Sequence, residues 1–287
     1  MSYAKILAPL TGGSRDATVL ASAFAAAKPF HAHVVALFVR PDPTEAMPFF
    51  GEGVSGTVVQ EIIDAAKEAA DKAAVDAQAA LKAAASEAGA TIVDKPERRD
   101  TVTVSWRDVQ GNFVDQVTRA GRLSDLVVFG PLGAEEKIGL SDAFEATLLE
   151  TGRPVLLTAQ VPPKAFARRI AVGWDGSAQC ARAVTASLAF LRKAQAVEVL
   201  TVAHGSTAEG LEEVREYLAL HGVNATERSV EAGERPVGEV LLESASSAGA
   251  DLLVLGGYGH TRLRQMFFGG VTRHVVSHTE LPLFLVH

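Results

Sequence analysis

DLLVLGGYGHTRLRQMFFGGVT, residues 251–272, opens with a short apolar run at 252–255 and passes through Gly256, Gly257 and Gly259. Ten residues after Gly259 it reaches a second glycine pair, Gly269 and Gly270. An apolar run closed by glycines and followed by a new amphipathic stretch reads as a strand, a glycine loop and a helix start. Glycines let main-chain N–H groups approach an anion where a Cβ would intrude, and a helix N-terminus carries roughly half a positive charge. The stretch is therefore a candidate phosphate cradle. A second reading stands beside it, a tight strand-to-helix connection whose glycines only serve positive φ.

The strand half of this stretch occurs twice. DLVVFGPLG at 125–133 aligns with DLLVLGGYG at 251–259, an offset of 126 residues, and Thr151-Gly152-Arg153-Pro154 aligns with Thr279-Glu280-Leu281-Pro282. Near the start of each copy, Gly13-Ser14 aligns with Gly176-Ser177 at an offset of 163, so the first copy carries 37 extra residues. They fall between its second and third strands. Two domains result, 1–160 and 165–287, separated by Val161-Pro162-Pro163-Lys164, with a long helical insert at about 41–90 in the first.

Within the first copy, a strand at 5–9 leads into Thr11-Gly12-Gly13-Ser14 and a helix with Val19, Leu20, Ala23, Phe24 and Ala27 on one face. Ser14 is its predicted N-cap. A strand at 34–39 ends at Arg40-Pro41-Asp42-Pro43, residues 47–56 read as a surface loop, and an alanine-rich helix follows at 57–88. Its apolar stripe is Val58, Ile62, Ala65, Ala69 and Ala73, with Asp64, Lys67, Glu68, Asp71 and Lys72 on the solvated side. Strands at 102–106, 125–130 and 154–159, with a helix at 112–119, complete the unit. The second copy repeats the order with strands at 169–174, 197–203, 225–230, 252–255 and 283–287. Its helices carry Ala181, Val184, Leu188 and Leu191, then Leu211, Val214 and Leu218, then Val237, Val240, Leu241 and Ala245, and a last helix begins near Gly269. Continuous apolar strands alternating with helices predict a parallel sheet covered on both faces. Ligands of such sheets bind at strand C-terminal ends where strand order reverses, which is where Asp175 and Gly256 fall.

Composition narrows the partners. With 48% hydrophobic residues the chain of 287 can bury a sizeable core, and a net charge of -7 gives no basic field for nucleic acid or an anionic membrane. The N-terminus runs straight into a strand pattern and no apolar run approaches the roughly 18 residues of a membrane span, so a cytoplasmic protein is expected. Cys180 stands alone, which excludes an intramolecular disulfide, and its helical setting suits a small buried apolar residue.

The second copy resembles the universal stress protein family, whose signature is an Asp after the first strand and, after the fourth, G-x2-G-x9-G followed by Ser or Thr. Gly256, Gly259 and Gly269 meet the spacing and Asp175 supplies the acid. The resemblance implies an α/β chain of two tandem Rossmann-like domains of the adenine nucleotide alpha hydrolase type, each a five-stranded parallel sheet flanked by helices. It also implies a stress-response regulator that binds ATP, ADP or AMP, with Mg²⁺ accompanying the nucleotide. In members that bind ATP, the loop glycines hold the phosphates, the Asp lies by ribose and metal, and residues of the first two strands flank the adenine. By position these are Gly173, Trp174 and Asp175, then Val202, then Leu255, Gly256, Gly259, His260, Gly269, Gly270 and Val271, with Asp175 beside the metal.

Departures from the signature matter. Gly270 stands where the family has Ser or Thr, removing a hydroxyl donor, while His260, Arg262 and Arg264 are either phosphate partners or a solvated basic loop. Trp174 either stacks on a base or fills the pocket. In the first copy Gly12 stands at the place of Asp175, the last motif glycine falls on Ser141 or Ala143, and Glu135 and Glu136 follow Gly133. That copy is expected not to bind ATP and instead to pair with the second through the final strands, a pseudo-dimer within one chain that could dimerise further. Two other functions stay open: a stress protein without nucleotide that acts through contacts with signalling proteins, and an ATP pyrophosphatase-like enzyme suggested by Thr11-Gly12-Gly13-Ser14-Arg15-Asp16, which resembles SGGxDS. No nucleophile with a base and orienter is readable. His204 reads as a strand-end residue, and His274 and His278, at i and i+4, lack a third ligand for a metal.

Overall fold

The computed structural model describes residues 2–42, 56–132, 139–161, 165–203, 210–257 and 270–287. Eleven strands form one sheet in the order β3-β4-β2-β1-β5-β6-β11-β10-β7-β8-β9. In the first half these are β1 (Lys5–Leu10), β2 (His33–Arg40), β3 (Thr91–Ile92), β4 (Thr103–Gln110), β5 (Leu126–Phe129) and β6 (Val155–Leu157). The second half supplies β7 (Arg169–Gly173), β8 (Ala196–Ala203), β9 (Ala225–Glu231), β10 (Leu252–Gly256) and β11 (Leu283–Val286). Each half is a mostly parallel α/β layer flanked by helices, with its strand order reversing beside β1 or β7. The first half has six strands instead of the expected five, because Thr91 and Ile92 pair with Thr103 and Val104 at its edge. Two residues carry no readable period, so this strand was invisible to pattern.

The halves join where β6 and β11 pair antiparallel, with Leu157 opposite Leu283 and Val155 opposite Leu285. One face of the junction is aromatic: Tyr3 and Phe30 pack on Phe190, with ring centroids at 4.8 and 5.1 Å, and the Tyr3 hydroxyl donates to the Ala186 carbonyl at 2.7 Å. The other face is mostly aliphatic and merges Leu148, Phe144, Val155 and Leu157 with Leu255, Leu285 and Val276 into one buried cluster. Apolar contact dominates both faces of the junction among the described residues. At the outer edge β9 carries Glu227, Arg228 and Glu231, charges that discourage pairing with another sheet.

Several local expectations need revision. The long helix α2 runs Gly56–Ala88, close to its expected span, but its buried residues are Ala74, Ala77, Leu81, Ala84 and Ala85. The predicted stripe through Val58 and Ile62 is exposed, at 43% and 40%, because only the C-terminal part of α2 lies on the body. Asp71 is held by Arg40, which also bonds Asp108 at 2.8 Å, tying α2 to the ends of β2 and β4. Strand β4 extends to Gln110, four residues past the expected end, since Arg107 and Asp108 hide an eight-residue pairing with β2. Helix α1 (Asp16–Ala27) has Arg15 at its N-cap with no side-chain bond, so Ser14 is not the cap. Asp16 does the equivalent work in reverse, accepting from the Thr11 and Gly12 amides at 3.0 and 2.8 Å.

Beneath β2 and β4 lies a buried polar network. His33, 5% exposed, places Nδ1 at 2.7 Å from Thr103 Oγ1 and Nε2 at 2.9 Å from Ser105 Oγ. The Thr103 hydroxyl donates to the Glu97 carbonyl, so it accepts from His33 Nδ1–H, and Nε2 of a neutral ring accepts from Ser105. Burial, with Lys5 nearby, lowers the His33 pKa, partly opposed by Glu97. A lowered folded-state value means the unfolded chain takes up the proton first. Stability is expected to be full above the unfolded value near 6.5 and to fall as pH drops below it. Urea midpoints at pH 7.5 and 5.5 check this: His33→Gln should show a smaller fall than the wild type, and equal falls would exclude His33 as the source.

Candidate functional site

At the C-terminal ends of β7, β8 and β10, beside the point where the second half's strand order reverses, is a cavity of about 290 Å³. That is near the lower end of the roughly 300–1,000 Å³ of small-ligand sites. Its lining includes Gly173, Trp174, Asp175, Val202, Leu255, Gly256, Gly270 and Val271. Eight of the eleven residues expected from sequence therefore lie around one space, although they come from three strands, the loop after β7 and a helix. The other three, Gly259, His260 and Gly269, lie outside the described residues, as do Arg262, Arg264, Gly133 and His204.

The glycines here serve close approach, not a left-handed backbone. None of Gly173, Gly256, Gly257 and Gly270 has positive φ. A β-carbon on Gly256 would lie 2.5 Å from the Cys180 amide nitrogen and 2.7 Å from the Gln179 carbonyl carbon, so its absence lets helix α5 (Ala178–Leu191) start directly against β10. A β-carbon on Gly173 would collide with the Leu255 side chain, which fills that space as a pocket wall. Gly270 differs: among the described residues nothing lies within 4 Å of the place its β-carbon would take.

Residues that sequence reasoning passed over complete the lining. Ser177 caps α5, its side chain accepting from the Cys180 amide at 3.1 Å, and its own amide donates to Asp175 Oδ1 at 2.8 Å. Thr272 sits in the first turn of α8 (Gly270–His278) with its side chain buried in the lining. Two helix N-termini, of α5 and α8, thus open on the same cavity, each with main-chain N–H groups that have no intrahelical acceptor. Their partial positive charges add at one place. Leu200, Val202, Val237, Leu241 and Leu255 make the apolar wall opposite. The Asp175-Gly176-Ser177 turn announced the α5 cap in the sequence; Leu241 and Thr272 gave no signal beyond ordinary helix periodicity.

Other groups have structural duties. The Cys180 thiol donates to the Gly173 carbonyl at 3.4 Å, and burial, then Asp175, pushes its pKa up to about 11, which keeps it an inert thiol. Trp174 packs on the second half's apolar core, and its indole nitrogen is buried without a hydrogen-bond partner among the described residues. His274 and His278 stack at 4.3 Å and His278 Nδ1 pairs with the His274 carbonyl, an arrangement turned toward the helix itself. Among the described residues no cluster of three His, Cys, Asp or Glu could hold a metal ion, and no helix is long and apolar enough to cross a membrane.

The matching place in the first half is built differently. A β-carbon on Gly12 would lie 2.5 Å from the Ala73 carbonyl oxygen, so α2 closes the position that Asp175 holds in the second half. The loop amides of Thr11 and Gly12 already bond the Asp16 carboxylate, and Arg15 crosses to the Pro131 carbonyl at 2.5 Å. An internal carboxylate thus occupies two of the loop's donors, although a cavity of about 310 Å³ remains beside them, lined by Thr11, Gly12, Gly13, Arg15 and Asp16 among others.

Comparison with known proteins adds to this geometry. The sequence profile of the universal stress protein family matches residues 167–287. No curated protein matches the chain. Among solved structures, a universal stress protein from Archaeoglobus fulgidus aligns over 98% of this chain and 95% of its own, at 16% identity and a TM-score of 0.67. A Pseudomonas aeruginosa protein ascribed to the same family aligns over 99% and 93%, at 15% identity and a TM-score of 0.59. A universal stress protein solved in complex with cAMP aligns over 42% of this chain and 97% of its own, at 22% identity and a TM-score of 0.35.

Proposed function

We propose, for a chain whose second half matches the universal stress protein family, that the cavity at the ends of β7, β8 and β10 binds an adenine nucleotide. The observation that carries this is the convergence of two helix N-termini on one apolar-walled space. Helix starts favour phosphate, and Leu200, Val202, Leu241 and Leu255 offer a base or ribose the apolar contact it needs. Asp175 is the one carboxylate lining the cavity among the described residues, suited to ribose hydroxyls or to a Mg²⁺ held mainly by phosphate oxygens. The first half takes the role of a partner: in its equivalent loop Asp16 already takes the Thr11 and Gly12 amides and α2 closes the place of Asp175, and it supplies β6 and α4 (Leu140–Glu150) to the junction. Division into domains 1–160 and 165–287 belongs to the same reading.

Mass analysis of small molecules released on denaturation, with calorimetric titration of ATP, ADP and AMP in Mg²⁺, tests the assignment. Saturable binding of at least one nucleotide is expected, weakened about tenfold by Asp175→Ala, the scale of one lost hydrogen bond to a charged group. Silence toward all three at millimolar concentration, with no nucleotide released, would favour a protein acting through contacts alone.

A further inference from the structure

The first half touches the root of the second half's glycine loop. Gly257 follows the pocket residue Gly256, and both of its main-chain groups are engaged: its amide donates to the Val286 carbonyl at 2.7 Å, and its carbonyl lies 3.2 Å from His287 Nδ1. On the remaining side, a β-carbon built on Gly257 would sit 3.3 Å from Cδ2 of Leu148. Leu148 belongs to α4 of the first half and is 2% exposed, within the aliphatic cluster that also holds Leu255 and Leu285. The strand carrying Val286 is the one that β6 pairs across the junction. A segment with hydrogen bonds on one side and a packed leucine on the other has its position fixed by both halves.

We infer that Leu148 is a positioning residue for the second half's pocket, holding Gly256 and Gly257 at the height where β10 meets α5. The first half, two of its own loop amides taken by Asp16, sets the geometry of its neighbour's site. Leu255 and Gly256 line the cavity directly, so a shift of a few tenths of an ångström at Gly257 is passed on within one or two residues. Protein interiors are packed too densely to absorb such a shift elsewhere.

Two readouts test this on the full chain, and only the second rests on the nucleotide reading. The first is amide hydrogen exchange without ligand. Leu148→Ala is expected to speed exchange at residues 252–257 by about tenfold or more while β8 and β9 keep their wild-type protection. Uniform acceleration, or none at 252–257, would overturn the inference. The second is a double-mutant cycle on ADP affinity. Gly257→Ala pushes a methyl toward Leu148 and should weaken binding about fivefold with little loss in Tm; adding Leu148→Ala, which makes room for that methyl, should recover most of the loss. Additive losses would deny the contact its role. If the wild type binds no nucleotide, the functional reading fails while the exchange measurement still decides the inference.

Discussion

Gly256→Ala is expected to cost about 2–3 kcal/mol of stability and to remove nucleotide binding, although it adds a single methyl group. The added carbon would fall 2.5 Å from the Cys180 amide nitrogen and 2.7 Å from the Gln179 carbonyl carbon, and both atoms are backbone of the first turn of α5. Backbone cannot rotate aside as a side-chain terminus can, so α5 must move off β10 or β10 must bend. Overpacking of this kind typically costs 1–3 kcal/mol. A change of that size corresponds to roughly 3–5 °C in Tm for a chain of this length. Moving α5 also moves Ser177 and with it Asp175, whose carboxylate takes the Ser177 amide at 2.8 Å, so affinity falls with stability. Thermal melts with calorimetry decide it. A wild-type Tm for Gly256→Ala would mean that α5 does not sit against this strand, and unchanged affinity would remove β10 from the site.

Gly270→Ser is expected to do the opposite. Gly270 opens α8, and among the described residues nothing lies within 4 Å of the place a β-carbon would take, so serine displaces none of them. Its hydroxyl would lie at the helix start that faces the cavity, where a phosphate is proposed. A hydrogen bond to a charged group contributes about 1.5–3 kcal/mol, which is roughly a ten- to hundredfold gain in affinity. Gly270→Ala is the control: replacing a helical glycine should raise stability by about 0.5–1 kcal/mol through backbone entropy, with no gain in affinity. If serine and alanine variants bind ATP equally, no phosphate lies at this helix start, and the anion would have to be held by α5.

Residues legible in the sequence were those whose chemistry is local. Alternation of apolar strands and helices announced the sheet, and the repeat of DLVVFGPLG in DLLVLGGYG announced two copies of one unit. The Asp175-Gly176-Ser177 turn and Gly256 were readable because a turn and a glycine loop are written in consecutive residues. Long-range pairing was not readable. Edge strand β3 and the polar end of β4 carry no apolar period, and α2 shows a plausible stripe that the body leaves exposed. The role of Gly256 also changed: phosphate approach and positive φ were the readings its sequence allowed, whereas its missing β-carbon admits the backbone of α5.

By itself, then, the sequence determined the α/β class, the tandem repeat and the distinct character of the second copy. Each follows from residue type and spacing along the chain. Only the tertiary structure decided that eight expected residues and two helix starts share one cavity, that Asp16 takes two loop amides and α2 closes the place of Asp175 in the first half, and that Leu148 abuts the root of the glycine loop. Those facts depend on which non-adjacent surfaces come within a few ångströms, and distance across a sheet leaves no mark in the order of residues.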